Sequence, residues 1–557
     1  MDKAKKKLPI GISDYKEIVK GNFSYIDKTL FIEEVMEMGT KVILIPRPRR
    51  FGKTINLSML HYFLEKTEED HSIFFLKYQI WKTQTREKQG KFPVIFLTLK
   101  GIKKGSWEAA YKGLQSLISE EYKRHRYLID HLHEDDKKDF QSIIDKVSDN
   151  QDLFENSLKY LIRFLRKHYN EQVIVLIDEY DTPIHDAYLS GYYSPMISFI
   201  RNWFSEGLKD NPLLEKAVLT GVLRVSKESV FSGFNNPGCY TVLDEEFSDK
   251  FGLKEEEVSS LLKEHEISRP LETIRAWYNG YQIGSSSLYN PWSILQCIQK
   301  KGELRPYWVN TSDNELIKKL LIRASSLFKQ EMEDLLFNRC ITKSIDEATV
   351  FKNLENNPDN IWSLFLFSGY LTLNEKPIAK GLYLQCKLKI PNQEVQHLYE
   401  GMLNDWLKES SPDHNLSILL ESLVTGQISI FSEILQALII NTMSFYDIPA
   451  DEPERVYHAF VLGLLVTLEG RYEVKSNRES GFGRYDVCLI PKDPLALGII
   501  MEFKKIKETE SLEKGADEAL EQIEKKQYEQ EVRNRGISNI LKLGLAFQGK
   551  KVFVKEK

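Results

Sequence analysis

The sequence lacks the features that would place a protein in a membrane or cross-link it through disulfides. Its five cysteines are scattered, odd in number and without C-x-x-C spacing, which argues against a disulfide framework or a zinc site. The longest apolar run, 459–468, is too short to cross a bilayer. The lysine-rich start is not followed by an apolar segment of signal-peptide length. We therefore expect a cytoplasmic protein with reduced thiols and no membrane partner.

The chain also lacks low-complexity tracts and a large excess of charge of one sign. Its formal net charge is −5 at pH 7, with 42% hydrophobic and 28% charged residues. This balance argues against a protein that coats nucleic acid over its whole surface, although it permits a local basic groove. A chain of 557 residues exceeds the size of a single hydrophobic core. We therefore expect about three or four domains.

One segment near the start has most of a phosphate-binding loop. Residues 47–54 read RPRRFGKT and end like the motif G-x-x-x-x-G-K-[ST], but Arg47 stands where the first glycine should be. The β-rich run 42–45 precedes the segment, and apolar residues at helical spacing follow it in 55–64. Strand, loop and helix form the context that such a loop requires. From this segment alone, a basic turn that matches by chance is an open alternative.

The residue types in the loop suit a bound triphosphate. Lys53 would neutralise the terminal phosphates, and the Thr54 hydroxyl would ligate Mg²⁺. Four backbone N–H groups at the start of the new helix would surround the phosphates. They belong to Arg50, Phe51, Gly52 and Lys53.

A second segment makes a chance match less plausible. Residues 172–181 are almost wholly apolar up to the acids at their end, as expected of a buried parallel strand. Carboxylates at the carboxyl end of such a strand lie where ligands bind in open α/β sheets. Asp178 would hold Mg²⁺ directly or through water, and Glu179 would act as general base on the attacking water. Together the two segments predict nucleotide binding, and we choose ATP because no Asn-Lys-x-Asp guanine motif is present.

A third strand, 215–221, ends in Thr220 and is followed by Arg224. A polar side chain at Thr220 would contact the γ-phosphate, and Arg224 would stabilise charge on the transferring group. The alternative is that Arg224 belongs to a surface salt bridge.

The middle of the chain gives a weaker signal. Residues 245–336 read as short helices between aromatic turns, which suggests a lid over the nucleotide. A buried helix at 361–368 precedes a candidate hairpin formed by 370–373 and 381–390, and another helix follows. This order is compatible with a winged-helix module. No helix there is crowded with Arg or Lys, so we expect an architectural role.

The last hundred residues contain a second chemical signal. Their order of helix, three strands, helix and strand is that of a restriction-endonuclease-like core; the elements are 454–465, 472–476, 484–490, 497–503, 511–528 and 540–547. Asp486 and Glu502 would bind Mg²⁺ on this core, and Lys504 would stabilise the attacking hydroxide or the pentacovalent phosphorus centre. Side chains 502 and 504 share a face, because side chains alternate along a strand. The alternative is an exposed strand that carries E-x-K by chance.

Many short motifs occur in a fixed order along nearly the whole chain. Together they resemble the bacterial AAA-ATPase-like family that carries a C-terminal PD-(D/E)XK nuclease domain. The motifs are 10–15, 25–29, 47–54, 178–181, 220–221, 232–236, 277–281, 289–292 and 307–314. The resemblance implies that RPRRFGKT is the family's usual loop and that Tyr25, Asp27 and Lys28 lie near the nucleotide. It also implies auxiliary metal or substrate contacts for Glu479 and Gln522, and we add Glu454 as a candidate outer ligand.

We therefore predict an α/β protein of four domains. They are a P-loop AAA-ATPase-like domain at 1–240, a helical lid at 241–335, a helical, winged-helix-like domain at 336–448 and a PD-(D/E)XK nuclease-like domain at 449–557. The leading hypothesis is an ATPase whose nucleotide state controls a Mg²⁺-dependent nuclease acting on nucleic acid, with DNA preferred. The alternatives are a switch whose nuclease-like domain binds DNA or protein without cutting, and a scaffold with both sites vestigial. Oligomerisation is possible, but no residue marks it.

Overall fold

The computed structural model describes most of the chain and divides it into two compact units. The first unit contains Met1–Leu316 and Cys340–Val395, and the second contains Ile317–Arg339 and Gln396–Lys557. The described residues are 6–146, 150–224, 237–308, 328, 331–332, 334–335, 339–347, 360–380, 383–399, 413–442, 453–476, 479–480, 483–507 and 510–557. The motif 232–236 and residues 309–314 lie outside these ranges. The bounds of the four domains expected from the sequence stay predictions.

A five-stranded parallel sheet forms the centre of the first unit. Its strands are β1 Val42–Pro46, β2 Val94–Thr98, β3 Val173–Asp178, β4 Leu214–Gly221 and β5 Gly238–Cys239. The strand order is β2-β3-β4-β1-β5, and all four pairings are parallel. Every residue of β3 is buried, as expected for a strand covered by helices on both faces. The predicted P-loop type of parallel sheet is confirmed.

The helices of the first unit bury amphipathic faces. In Ser157–Tyr169, the buried positions include Leu158, Leu161, Ile162 and Leu165, which lie on one side of a helix of 3.6 residues per turn. The α-helices are Tyr15–Lys20, Leu30–Glu37, Lys53–Leu64, Trp107–Arg124, Glu134–Asp145, Gln151–Glu155, Ser157–Tyr169, Thr182–Ser190, Tyr193–Leu208, Glu255–Glu264, Leu271–Tyr278, Pro291–Gln299 and Asn360–Ser368. Short 3₁₀ helices occur at His71–Phe74, Gln79–Lys82, Gln84–Lys88, Leu99–Gly101 and Arg126–His131.

Side chains from one helix cover the outer edge of the parallel sheet at β2. The Phe96 N–H donates to Glu121 Oε1 at 3.1 Å, and Arg124 donates to the Val94 carbonyl. Arg124 also pairs with Glu121 and Glu65. The helix Trp107–Arg124 therefore satisfies backbone groups that an edge strand would otherwise leave open.

Two small antiparallel arrangements complete the first unit. The strands are β6 Tyr281–Ile283, β7 Ser286–Leu288, β8 Ile341–Ile345, β9 Thr372–Leu373, β10 Ile378–Lys380 and β11 Tyr383–Lys389. β6 pairs with β7, and β11 pairs with β8, β9 and β10. Helix Asn360–Ser368 ends before Gly369, whose φ of 84° is the left-handed value typical of a residue after a helix. The helix and the pairing of β9 with β11 lie where the sequence predicts them, while β8 and β10 are additional. The winged-helix assignment stays a prediction.

The second unit contains a mixed sheet between helices. The strands of the second unit are β12 Tyr472–Ser476, β13 Glu479–Ser480, β14 Gly483–Arg484, β15 Val487–Pro491, β16 Gly498–Lys505, β17 Ile540–Gln548 and β18 Lys551–Glu556. Of these, β13 and β14 pair only with each other. Its α-helices are Asp413–Val424, Ile428–Thr442, Pro453–Leu465, Leu512–Lys526 and Gln530–Arg533, with a 3₁₀ helix at Val466–Gly470. The sheet order is β12-β15-β16-β17-β18, in which only β16 and β17 are parallel. The predicted mixed α/β core is confirmed, and β18 extends it by one strand.

Close packing of helix Leu512–Lys526 on the sheet requires glycine in β17. A Cβ on Gly544 would lie 2.2 Å from the Ala516 carbonyl oxygen.

In the described residues, no helix is both long and apolar enough to cross a membrane.

Candidate functional site

The loop between β1 and helix Lys53–Leu64 has two residues in the left-handed region. Arg50 has a φ of 68° and Gly52 a φ of 85°, and such a φ is uncommon for a residue with a Cβ. Lys53 Nζ donates to the carbonyls of Arg47 at 3.0 Å and Pro48 at 2.9 Å. The lysine therefore closes the loop that would surround a phosphate.

Three polar side chains meet beside this loop. Thr54 Oγ1 donates to Asp178 Oδ2 at 2.7 Å, and Thr220 Oγ1 donates to Asp178 Oδ1 at 2.8 Å. They come from the helix after β1 and from the ends of β3 and β4. Burial raises the pKa of Asp178, while the hydrogen bonds from the two threonines oppose the rise. Hydroxyl and carboxylate oxygens are the ligands that Mg²⁺ prefers, so these residues fit that ion.

Glu179 follows directly after β3 and is half-buried. Its φ of 51° turns the chain, and the Thr182 hydroxyl donates to its Oε2 at 3.2 Å. Burial lowers the pKa of Lys53, and the charges of Glu179, Asp181 and Asp178 oppose this. The ammonium and the three carboxylates therefore face one another closely enough to interact.

Arg224 lies in an ion pair at the end of a described segment. Its Nη1 is 3.2 Å from Glu347 Oε2, and the two side chains are 31% and 35% exposed. This is the salt bridge that the sequence left open as the alternative. A contact between Arg224 and a phosphate stays a prediction.

In the second unit, Asp486 and Glu502 are joined through the backbone. The Phe503 N–H donates to Asp486 Oδ2 at 2.7 Å, and the Asp486 N–H donates to Glu502 Oε2 at 3.3 Å. Antiparallel pairing of β15 with β16 brings these residues together, since Val487 lies opposite Met501. Burial raises the pKa of Asp486. The buried Glu502 and the half-buried Asp486 supply carboxylate oxygens that fit a hard cation.

Two predicted partners surround Glu502. Lys504 Nζ lies 3.9 Å from Glu502 Oε1, and the Gln522 amide donates to the same oxygen. Glu454 belongs to helix Pro453–Leu465 and Glu479 to β13, but their side chains are outside the described residues. Their auxiliary roles stay predictions.

Comparison with known proteins identifies a family model for each of two regions of the chain. Residues 9–231 match the family model described as predicted AAA-ATPase, and residues 452–557 match that of the PD-(D/E)XK nuclease superfamily. The chain joins an AAA-ATPase-like domain to a PD-(D/E)XK domain. A relative from Azotobacter chroococcum mcd 1, described as an uncharacterized protein in the vnfD 5′ region, is 27% identical over 553 residues. The alignment covers 96% of this chain and 95% of the relative.

Arg47 explains the missing glycine of the AAA-ATPase-like domain, a role that the sequence did not reveal. The side chain is fully buried, and its Nη1 donates to the Tyr240 carbonyl at 2.7 Å. Its Nη2 donates to the carbonyls of Glu246 at 3.3 Å and Phe247 at 3.4 Å, and the guanidinium lies over the Phe251 ring. Arg47 therefore fixes the start of the loop to the segment after β5.

Asp181 is a second residue that sequence reasoning missed. Its Oδ2 accepts the N–H groups of Val222 and Leu223, both at 2.8 Å, and the Tyr180 hydroxyl donates to the Leu223 carbonyl. A Cβ on Gly221 would lie 2.5 Å from Asp181 Oδ1, so this close approach requires glycine. Asp181 therefore holds the chain that follows Thr220. A sequence signal for Asp181 was available, because it stands three residues after Asp178, shortly past the end of the same strand.

The N-terminal motif of the AAA-ATPase-like domain packs against the loop helix. Tyr25 donates its hydroxyl to Met59 Sδ at 3.2 Å, and Lys28 pairs with Glu257 at 2.7 Å. Asp27 accepts the backbone N–H and the hydroxyl of Thr29. These contacts are structural, and nearness to a nucleotide stays a prediction.

His458 is a residue of the PD-(D/E)XK domain that the sequence analysis did not identify. Its Nε2 lies 3.0 Å from the Asp486 carbonyl oxygen and 3.1 Å from Ser476 Oγ, and its ring contacts Phe503. The histidine therefore fixes the backbone of a candidate metal ligand from helix Pro453–Leu465.

Proposed function

We propose that this protein binds and hydrolyses ATP, and that its nucleotide state controls a Mg²⁺-dependent nuclease in the second unit. The observation that carries the proposal is the cluster of Thr54, Asp178 and Thr220 at the amino end of the loop helix. Three segments far apart in the chain contribute one oxygen-rich site there. Such a site beside backbone N–H groups and a buried lysine suits a nucleoside triphosphate with its metal.

Each side chain has a distinct role in the proposed hydrolysis. Lys53 leaves the carbonyls of Arg47 and Pro48 and donates to the terminal phosphates. Glu179 accepts a proton from the attacking water, and Thr220 orients the γ-phosphate. When bound to Thr54 and Asp178, Mg²⁺ neutralises phosphate charge.

In the second unit, Asp486 and Glu502 are the proposed ligands of a cation, which polarises the scissile phosphodiester when bound. Lys504 supports the charge that develops on the attacked phosphate. Gln522 holds Glu502 in place. Nucleic acid is the proposed substrate, and DNA is the form that we favour.

A second candidate function is a nucleotide-dependent switch whose PD-(D/E)XK domain binds nucleic acid or protein without cutting it. The observation that favours it concerns the two carboxylates of the candidate metal site. Oxygens of Asp486 and Glu502 already accept hydrogen bonds from Phe503, Gln522 and the Asp486 backbone.

A cleavage assay separates the two functions. Single- and double-stranded DNA and RNA are incubated with Mg²⁺ or Mn²⁺, with and without ATP. The wild type is compared with Asp486→Ala and Lys504→Ala. Cutting by the wild type that both variants lose supports a nuclease. Equal cutting by all three indicates a contaminant, and binding without cutting supports the switch.

A further inference from the structure

A buried carboxyl group outside both sites connects two segments of the first unit. Glu394 is fully buried, and its Oε1 accepts the Trp308 backbone N–H at 2.6 Å. Its Oε2 accepts the Ser293 hydroxyl at 2.7 Å. A buried carboxylate is costly unless hydrogen-bonded, so these two donors fix Glu394 between the two segments.

Trp308 extends this connection to the phosphate-binding loop. Its indole is fully buried, and Nε1 donates to the Arg49 carbonyl at 3.2 Å. The indole also contacts Tyr281, whose ring packs edge-on against Phe51 at 5.0 Å. Two loop residues are therefore held by a single set of buried side chains. We call Glu394, Ser293 and Trp308 the loop anchor.

The segment that carries Glu394 is itself tightly docked. Asn392 Nδ2 donates to the Asn279 carbonyl at 2.7 Å. A Cβ on Gly280 would lie 2.0 Å from the Pro391 carbonyl oxygen, and the φ of Gly280 is 97°. The 391–394 segment therefore packs directly on Asn279 and Gly280, and the hydrogen bond from the Trp308 N–H to Glu394 links it to Trp308.

The positions of these residues in the chain give the anchor its significance. The chain passes from the first unit into the second after Leu316 and again after Val395. Trp308 lies shortly before the first of these crossings, and Glu394 lies directly before the second. The loop anchor thus links the phosphate-binding loop to residues that precede both forward crossings in the chain.

We propose that Glu394 and Trp308 are positioning residues that transmit the conformation of the phosphate-binding loop to the chain that enters the second unit. The inference rests on the proposed function, because it names the path by which nucleotide binding controls the nuclease. When Lys53 releases the Arg47 and Pro48 carbonyls to bind phosphate, the adjacent Arg49 carbonyl shifts. Trp308 follows through its hydrogen bond and moves Glu394. Coupling of this kind needs an element with two arrangements that the ligand distinguishes.

Hydrogen exchange of the full-length protein tests this path without relying on nuclease activity. The probe is adenylyl imidodiphosphate with Mg²⁺, and exchange is compared with and without it in peptides covering 47–64, 291–308 and 391–399. In the wild type we expect changes in all three regions. Trp308→Phe removes the indole donor but keeps an aromatic ring, so the change in 47–64 should persist while that in 391–399 is lost. Trp107→Phe, in the separate helix Trp107–Arg124, is the matched control and should behave as the wild type.

A pair of variants at Glu394 covers the case in which Trp308→Phe does not fold. Glu394→Gln keeps an oxygen acceptor for the Trp308 N–H and should retain the change in 391–399. Glu394→Ala removes the acceptors and should lose it. An effect shared equally by both variants would contradict the proposal.

The outcomes also separate this inference from the proposed function. A wild-type change in 47–64 without one in 391–399 overturns the loop anchor while nucleotide binding stands. A Trp308→Phe variant with a wild-type change in 391–399 overturns it as well. No change in 47–64 of the wild type refutes nucleotide binding, and the loop anchor falls with it.

Discussion

The Thr54 hydroxyl donates a 2.7 Å hydrogen bond to the Asp178 carboxylate, although 124 residues separate them in the chain. The contact joins the first turn of the loop helix to the end of the central strand β3. Parallel pairing of β1, β4 and β3 places the ends of these strands side by side, which makes the contact possible. This pair is the geometric centre of the proposed ATPase site.

Replacement of Lys53 by alanine should abolish nucleotide binding. The substitution removes the buried ammonium that would face the phosphates, and it also frees the Arg47 and Pro48 carbonyls that close the loop. Titration with a fluorescent ATP analogue and Mg²⁺ measures the effect. Unchanged affinity in a folded Lys53→Ala protein would show that this loop does not bind the nucleotide.

Glu179→Gln should bind ATP like the wild type and hydrolyse it more slowly, by roughly 10²- to 10⁴-fold, the usual contribution of a general base. The amide keeps the size of the side chain but cannot accept the proton of water. Single-turnover hydrolysis, measured beside equilibrium binding, separates the two effects. Normal hydrolysis by this variant would show that another group acts as base.

Restoring the missing glycine with Arg47→Gly should destabilise the first unit. The change removes a buried guanidinium and leaves the carbonyls of Tyr240, Glu246 and Phe247 without their donor. The expected loss is on the order of 3 kcal/mol, since each unsatisfied buried group costs about 1–3 kcal/mol. Urea unfolding measures it, with Arg126→Gly as a control on the surrounding fold. A more stable Arg47→Gly protein would contradict the structural role of Arg47.

Asp486→Asn should reduce any Mg²⁺-dependent cleavage by at least about 100-fold, because a carboxylate proposed to bind the cation is lost while the Phe503 N–H keeps an acceptor. Plasmid cleavage over a range of Mn²⁺ and Mg²⁺ concentrations measures the effect. Replacing the exposed Asp493 by Asn provides the matched control. Cutting that survives in Asp486→Asn at every metal concentration would exclude Asp486 as a ligand.

Stability of the first unit should fall as pH rises from about 4.5 to about 7 because of Glu394. Burial raises the pKa of this carboxyl to about 7, and the hydrogen bonds from Trp308 and Ser293 only partly oppose the rise. A group with a raised folded-state pKa contributes its stability fully at low pH and loses it as pH rises through that pKa. The expected loss relative to Glu394→Gln is about 3 kcal/mol between pH 4.5 and pH 7.

Urea unfolding of the wild type and Glu394→Gln at several pH values tests this difference. Neighbouring groups should not obscure it, because burial raises the pKa values of Tyr278, Tyr281, Tyr307 and Cys297 further from neutrality. Parallel stability curves for the two proteins would show that Glu394 does not titrate in this range.

Much of the fold could be predicted because strong local patterns match the structure. The apolar run that becomes β3 is rich in Val and Ile, as expected of a buried parallel strand, and acids stand at its carboxyl end. In the second unit, the predicted strand 472–476 coincides with β12. Boundaries were less accurate at 484–490, where the structure separates β14 from β15.

What the sequence could not reveal depends on contacts between distant residues. Nothing local to Arg47 indicates that its guanidinium is buried against carbonyls nearly two hundred positions later. Glu394 likewise reads as an ordinary surface residue of a helix, yet it is fully buried. The Arg224–Glu347 pair was only one of two alternatives, because its partner lies beyond the reach of any local pattern.

The covered edge at β2 limits how this protein can associate with itself. An exposed edge strand presents a row of unpaired N–H and C=O groups, with which a strand of another molecule can pair to extend the sheet. Here Glu121 and Arg124 bond two of those groups, the Phe96 N–H and the Val94 carbonyl, so pairing with a second sheet would first require these contacts to break. The Glu121–Arg124 pair thus protects the folded chain against strand addition at the β2 edge of its five-stranded parallel sheet.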